Sequence, residues 1–347
     1  MDGFLALQVI GWQANSGRHD LPWQNTRDPY RVWLSEIMLQ QTQVVTVRAY
    51  FARFLARFPD VQALAQAPLD DVLHLWAGLG YYSRARNLHR CAQEVMRLHA
   101  GAFPRTAQQL QTLPGIGRST AAAIAALCFG EQVAILDGNV KRVLTRYLGF
   151  DGDLAQAGHE RSLWDQATKL LPQENLLRDM VRYTQGMMDL GATLCSSKNP
   201  ACSYCPLATR CVAQALGSPE KFPVKTRKLK RSAQSTWLLW ALADDGAVWL
   251  SQRPTPGVWA GLYCLPLFDD RQALQAVVGP PGKTELQDLP SFKHVLTHKD
   301  LYLHPVRLKL PARQTLPIEG QWMGAAQLAR LGLPAPIKKL LQVPGAA

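Results

Sequence analysis

The chain lacks several things, and each absence removes a class of protein. No apolar run approaches the roughly 20 residues that a helix needs to cross a bilayer, so no membrane partner is expected. No basic stretch precedes an apolar core at Met1-Asp2-Gly3-Phe4, so no secretory signal is expected and the cytoplasm is the default compartment. Acidic residues are short: 26 Asp and Glu against 38 Lys and Arg leave a formal net charge of +12, which points to a polyanionic partner. Cysteine is scarce, with 7 in 347 residues, and four of these crowd between 195 and 211. Clustered cysteines in an intracellular chain read as metal ligands rather than as a disulfide framework. Strand-like alternation is missing before residue 230, so that part of the chain should be all-α.

What is present is a folded composition, 47% hydrophobic with 10 Trp, and a length that suits two domains rather than one core. The organising stretch runs from 113 to 143. Leu113-Pro114-Gly115-Ile116-Gly117 is a turn whose glycines, Gly115 and Gly117, allow positive φ and close approach of a ligand to the backbone. Arg118, Ser119 and Thr120 then start a helix rich in alanine, which must be buried. A glycine turn feeding a helix N-terminus offers free N–H groups to a phosphate. Further on, Ile135-Leu136-Asp137-Gly138-Asn139 places a carboxylate between an apolar run and a second helix start, with Lys141 close behind.

Upstream, Asp28-Pro29 is a strong helix start, and the helix is expected to run from Tyr30 through Gln43. Val32, Trp33, Leu34 and Ile37 face inward, while Glu36, Gln40 and Gln43 share the other face. One carboxyl among amides, beside Trp33, Ile37 and Met38, looks like part of a semi-apolar cleft, surroundings that raise a carboxyl pKa; from the residues alone a surface charge is the commoner reading of Glu36. The turn Gly78-Leu79-Gly80-Tyr81-Tyr82, followed by Arg84 and Arg86, offers an exposed aromatic with basic neighbours, the equipment for wedging open a base stack.

The spacing Cys195-x6-Cys202-x2-Cys205-x5-Cys211 lets four thiolates close around one centre, and spacing alone leaves zinc and an iron–sulfur cluster comparable. Residues 217–234, rich in Pro, Lys and Arg, read as a basic interdomain linker near phosphates. Beyond it, short β-like runs alternate with helical segments, giving an α+β domain over 235–347.

These segments together resemble the MutY-type adenine DNA glycosylases of the helix-hairpin-helix base-excision superfamily. The resemblance rests on Trp33-Leu34-Ser35-Glu36-Ile37-Met38-Leu39-Gln40-Gln41-Thr42, on the hairpin at 113–120, on Leu136-Asp137-Gly138-Asn139 and on the four-cysteine loop. It implies an all-α glycosylase domain over 1–216 with a 4Fe-4S loop at 195–211, and a C-terminal domain related to the Nudix hydrolases, signalled by Pro256-Gly257-Val258-Trp259-Ala260-Gly261. A Nudix hydrolase needs a Glu-rich helix for its metals. Asp269-Asp270-Arg271-Gln272-Ala273-Leu274-Gln275 carries no Glu, so the domain should read a base rather than hydrolyse a phosphate ester.

The resemblance further implies a monomeric, nucleoid-associated bacterial enzyme that removes adenine opposite 8-oxoguanine or guanine in double-stranded DNA. Glu36 would protonate the adenine, Asp137 would stabilise the cationic sugar, and Asn139 would position Asp137 by hydrogen bonding. Gln40, Gln41, Thr42, Leu79, Tyr81, Arg84, Arg86, Gly115, Gly117, Arg118, Ser119 and Lys141 would contact DNA, and Cys195, Cys202, Cys205 and Cys211 would hold the cluster. Ser119 stands where strand-nicking relatives carry Lys, so base release without an efficient lyase step is expected. Two departures stand out. Leu296-Thr297-His298 replaces the Phe-Ser-His of many relatives at the loop reading the opposite base, and Gln24 stands where some have Arg. The rival readings are endonuclease III, which would need Lys at 119, and a non-catalytic mismatch clamp, which would not need both Glu36 and Asp137.

Overall fold

The structure, a computed structural model, describes residues 3–226, 230–279 and 285–342. It divides into two compact units, Met1–Ala65 with Arg90–Lys228, and Gln66–His89 with Leu229–Ala347. Among the described residues no strand precedes Ser232, and no helix is long and apolar enough to cross a membrane.

The first unit contains helices α1 (Phe4–Ser16), α2 (Pro29–Leu39), α3 (Val44–Arg57) and α4 (Val61–Gln66). After α5 (Leu69–Trp76), which belongs to the second unit, α6 (Ser83–His99) crosses the division at His89. The first unit continues with α7 (Ala107–Leu110), α8 (Arg118–Phe129), α9 (Gly138–Leu148), α10 (Ala157–Lys169), α11 (Leu176–Thr193) and α12 (Val212–Ala215). Helix α8 is its centre. Every residue from Ala121 to Cys128 is buried, and α2, α7 and α11 all pack on it. Alanine makes this possible, because a small side chain on every face lets neighbours approach from all sides. The helix ends at Gly130, whose φ is 71°, and a Cβ there would lie 2.8 Å from the Cα of Leu177. Only glycine satisfies both conditions.

Asp28 caps α2 as expected, accepting the Tyr30 N–H at 2.9 Å, with Pro29 at the first position. The expected run of that helix to Gln43 is corrected. It stops at Leu39, Gln41 takes φ 55°, the Thr42 hydroxyl bonds the Gln40 carbonyl, and Gln43 instead precedes α3. A left-handed residue breaks the i to i−4 ladder, so Gln43 does not share a helical face with Glu36. The linker is also shorter in practice than its composition suggests. Phe222 accepts from Arg146, Val224 from Leu154, and the Thr226 hydroxyl bonds Asp153, so the segment is tied to the first unit up to Thr226. Residues 227–229 of the linker lie outside the described residues.

In the second unit the strands are β1 (Ser232–Ala243), β2 (Val248–Gln252), β3 (Tyr263–Cys264), β4 (Leu267–Phe268), β5 (Leu286–Asp288), β6 (Phe292–Val295), β7 (Lys299–Leu310) and β8 (Gln321–Met323). They form one mixed sheet in the order β3-β2-β1-β7-β5, with β4 on β1, β6 on β7 and β8 on β2. Long β1 and β7 pair in parallel and the other pairs are antiparallel. Leu239 and Ala241 of β1 join Val306, Leu308 and Leu310 of β7 in a core, together with Leu274 of α13 (Arg271–Val278). Short helices α14 (Ala325–Leu328) and α15 (Ala335–Leu341) complete the α+β arrangement that the sequence predicts.

Candidate active site and nucleic-acid interface

Glu36 lies in the last turn of α2, between buried Ser35 and Ile37. Its carboxyl is desolvated, and the charge of Asp137 lies near enough to add to the effect, so its pKa rises from an ordinary 4.5 to about 7. Such a rise disfavours the charged form by roughly 3 kcal/mol. Among the described residues no hydrogen bond or cation offsets it.

Asp137 has the opposite support. It caps α9, and its Oδ1 accepts the Val140 N–H at 2.7 Å. Burial pushes its pKa up, while the N–H groups of Val140 and Asn139 and the charges of Arg142 and Lys141 pull it back. A helix N-terminus and two cations favour an anion at Asp137 and oppose its desolvation, whereas no such group opposes the desolvation of Glu36 among the described residues.

Asn139 acts on Asp137 through its backbone N–H, whereas its side chain goes elsewhere: Oδ1 accepts from Arg142 Nη2 at 2.8 Å. The Arg142 guanidinium also donates to the carbonyls of Gly191 at 2.6 Å and Cys195 at 2.7 Å. Gly191 presses so closely on Asn139 that a Cβ would fall 2.6 Å from the Asn139 Cβ. Nothing in the sequence pattern points to Arg142, because a lone Arg on an amphipathic helix carries no signal.

The hairpin turn precedes α8, with Gly115 at φ 77° and Gly117 at the N-cap position without a side-chain cap, which leaves its first N–H groups outward. Arg118 is exposed, its guanidinium stacked 4.0 Å from the centre of the Trp164 ring. Ser119 Oγ accepts the Leu136 N–H at 3.1 Å, and Thr120 Oγ1 accepts from Gln40 Nε2 at 3.4 Å. The hairpin, the Gln40 turn and the segment leading to Asp137 are therefore stitched together directly. Gln41 and Thr42 lie in the same break.

A small cavity of about 70 Å³ beside the preceding turn of α2 is lined by Arg18, Trp23, Gln24, Val32, Leu127 and Gln185. Arg18 donates to the fully buried Asp189, as does Gln185 Nε2 at 3.0 Å. Gln24 has both amide atoms buried without a hydrogen-bond partner among the described residues.

Two expected DNA contacts need correction. Leu79 is buried, and Arg84 turns inward under the turn, only 8% exposed, donating to the carbonyls of Leu79 and Gly80 and lying over Trp76 and Tyr81. Burial even lowers the Arg84 pKa to about 10. The carbonyls left open by glycine-rich turns need donors, and Arg84 supplies them. Arg86 is likewise committed, with Nη1 donating to Ala260 at 2.5 Å. Tyr81 is the exposed member of the tyrosine pair, at φ 48°, and its hydroxyl contacts that of Thr297.

Tyr81, Thr297 and His298 line a cavity of about 680 Å³ in the second unit, with Trp259 and His294 as further walls. Burial lowers the His294 pKa, which keeps this ring neutral and able to both donate and accept. The Thr297 carbonyl accepts from Arg231, and the His298 carbonyl from the Ser232 N–H, so β1 fixes the loop while the His298 side chain stays exposed. Sequence reading quoted Trp259 only within a longer motif and missed His294.

The four cysteines gather at the ends of α11 and α12, all partly buried. Burial raises the thiols of Cys202, Cys205 and Cys211, and each also feels the Cys195 sulfur. Arg146, 2% exposed, reaches in from α9 with Nη1 3.3 Å from Cys195 Sγ and further bonds to the carbonyls of Ser196 and Ser197. Among the described residues no three His, Cys, Asp or Glu side chains stand close enough to hold a single metal ion.

A desolvated carboxyl with a raised pKa near a helix-capping carboxylate, beside a glycine hairpin that opens a buried helix, is an arrangement that fits a DNA glycosylase of the helix-hairpin-helix class. Residues 34–168 match the family described as HhH-GPD superfamily base excision DNA repair protein, and residues 237–343 match the NUDIX domain. The chain is 37% identical over 341 residues to the adenine DNA glycosylase of Buchnera aphidicola subsp. Acyrthosiphon pisum, covering 96% of this chain and 95% of that protein. It is 32% identical over 407 residues to the human adenine DNA glycosylase, covering 96% and 73%. A thermostable thymine-DNA glycosylase structure superposes with TM-score 0.53 at 28% identity over 61% of this chain and 95% of that one. An endonuclease III–DNA complex shares the fold, with TM-score 0.50 at 20% identity over 61% and 94%. The chain belongs to the adenine DNA glycosylase family.

Proposed function

We propose that this enzyme releases adenine paired with 8-oxoguanine or guanine in double-stranded DNA, as a monofunctional glycosylase. The observation that carries the reading is the pairing of Glu36, its pKa pushed to about 7 by desolvation and by the charge of Asp137, with Asp137, whose carboxyl accepts the Val140 N–H at the start of α9. Breaking an N-glycosidic bond needs a proton on the leaving base and a negative charge near the oxocarbenium-like sugar. Glu36 gives the proton to the adenine ring, Asp137 faces the sugar, and the backbone N–H of Asn139 steadies Asp137. Gln40, Gln41, Thr42, the hairpin at Gly115 and Gly117, Arg118, Ser119 and Lys141 meet the DNA. Tyr81 enters the stack, and Thr297 and His298 read the opposite base. Arg84 and Leu79 shape the Tyr81 turn from within.

The division of labour follows the chain: a glycosylase domain over 1–216, a basic connection over 217–234 and a base-reading domain over 235–347, working as a monomer at the bacterial nucleoid. The four thiols fit a 4Fe-4S cluster. They sense one another and sit among backbone N–H groups and Arg146. When bound, the cluster supplies iron–thiolate bonds that lock the 195–211 loop beside α9. Cysteine to serine at 202 should remove the visible absorption of the purified protein and the iron with it, whereas bound zinc in a colourless protein would overturn the assignment.

A duplex carrying A opposite 8-oxoguanine, incubated with the protein and then heated in alkali, tests the activity. Strand breaks at A that appear only after alkali support the reading. Breaks before alkali would make the protein a lyase, and an intact strand would make it a binder.

A further inference from the structure

Lys141 is placed awkwardly for an enzyme that should leave the sugar uncut. It lies in the first turn of α9, its N–H bonded to the Asp137 carbonyl at 2.8 Å, and its charge is felt by the Asp137 carboxyl. An amine that close to the sugar-facing acid can attack the aldehyde of an abasic product. Ser119, at the position where strand-nicking relatives carry their amine, is occupied in bonding Leu136. The Lys141 Nζ does not project freely either: it lies 2.5 Å from Glu160 Oε1, in the first turn of α10. Both side chains are partly buried, 26% and 39% exposed.

We propose that Glu160 is a positioning residue that withholds Lys141 from the sugar and so keeps the reaction at base release. The inference rests on Asp137 facing the sugar, as set out above. The reaction withheld is specific. The Nζ lone pair adds to the C1′ aldehyde of the ring-opened abasic sugar, the carbinolamine loses water to give an imine, and water then takes the C2′ proton as the C2′=C3′ double bond forms and the C3′–O bond breaks with the phosphate as leaving group. An Nζ held against the Glu160 carboxylate is not free to turn toward the sugar. Selectivity for hydrolysis over lyase chemistry thus comes from an ion pair between two helices as well as from Ser119.

The test uses full-length protein and a duplex with a preformed abasic site, so it needs no base release. Borohydride reduces the imine to a stable amine that links protein to DNA, and the linked fraction is counted at saturating protein. Glu160→Gln should raise the linked fraction about fivefold, the scale set by breaking a partly exposed ion pair. Glu160→Asp, which keeps the carboxylate, should stay near the parent, and adding Lys141→Met to Glu160→Gln should remove the gain. Base release from the mispaired duplex by Glu160→Gln should stay within about twofold, because Glu160 approaches neither reacting carboxyl. An unchanged linked fraction in Glu160→Gln, or a gain that survives Lys141→Met, would overturn the proposal. Loss of base release in the parent protein would instead overturn the adenine reading and leave the linking result standing.

Discussion

The two units line their candidate sites with different chemistry. In the first, Glu36 and Asp137 are half-buried and both shifted upward by desolvation. In the second, Asp300 pairs with Lys293 and Arg231, Asp288 with Arg271 and Asp245 with Arg313, all at the surface. The walls of its large cavity are aromatic and imidazole groups instead. Buried acids store a proton for chemistry. Neutral rings and hydroxyls offer hydrogen bonds and stacking, which suit reading a base without reacting with it. The absence of a Glu-rich helix after Pro266 says the same from the sequence side.

The contrast breaks if the first unit's acids prove inert. Glu36→Gln should slow single-turnover base release by roughly two to four orders of magnitude, the contribution of a positioned general acid, with duplex affinity nearly unchanged. Equal loss of binding and release would remove the acid from the mechanism. The same substitution has a signature in stability. A carboxyl whose folded pKa stands near 7 above an unfolded 4.5 favours the folded state fully below 4.5 and loses that contribution as pH rises through 7. Glu36→Gln, which never ionises, should therefore gain on the parent protein by up to roughly 3 kcal/mol between pH 5 and pH 8. Denaturant midpoints at the two pH values measure this, and parallel stabilities would show that Glu36 is not desolvated.

The second unit is probed by His298→Ala. It should cost about tenfold in the preference for A opposite 8-oxoguanine over A opposite guanine, in line with losing one polar contact to a substrate. Release from the guanine pair should hardly change. A uniform loss on both substrates would assign His298 to general binding. The smallest effect belongs to Arg118→Ala, which should weaken binding to all sequences and flatten the plot of log affinity against log salt by about one unit. An unaltered slope would place Arg118 off the phosphates.

Much of this was legible in the sequence because local chemistry fixed it. The Asp28-Pro29 start, the alanine helix that must be buried, Gly115 of the hairpin and the helix start behind Asp137 each depend on neighbours a few residues away, and the structure places them as expected; Gly117 differs, taking φ −83° at the α8 N-cap. The failures arose where a residue's fate depends on distant chain. Arg84 looked like a phosphate ligand by composition, but the open carbonyls of its own turn claim it. The α2 helix looked continuous to Gln43, since nothing about Gln41 announces a positive φ. Arg142, Arg146 and the Lys141–Glu160 pair were invisible, because each joins segments whose separation along the chain carries no pattern.

Gly191 touches no reacting group, yet its lack of a side chain bears on the reaction. A single methyl group there would push on Asn139 and hence on the cap that steadies Asp137. Alanine at this site should slow base release, because the added Cβ must displace the Asn139 backbone whose N–H steadies Asp137.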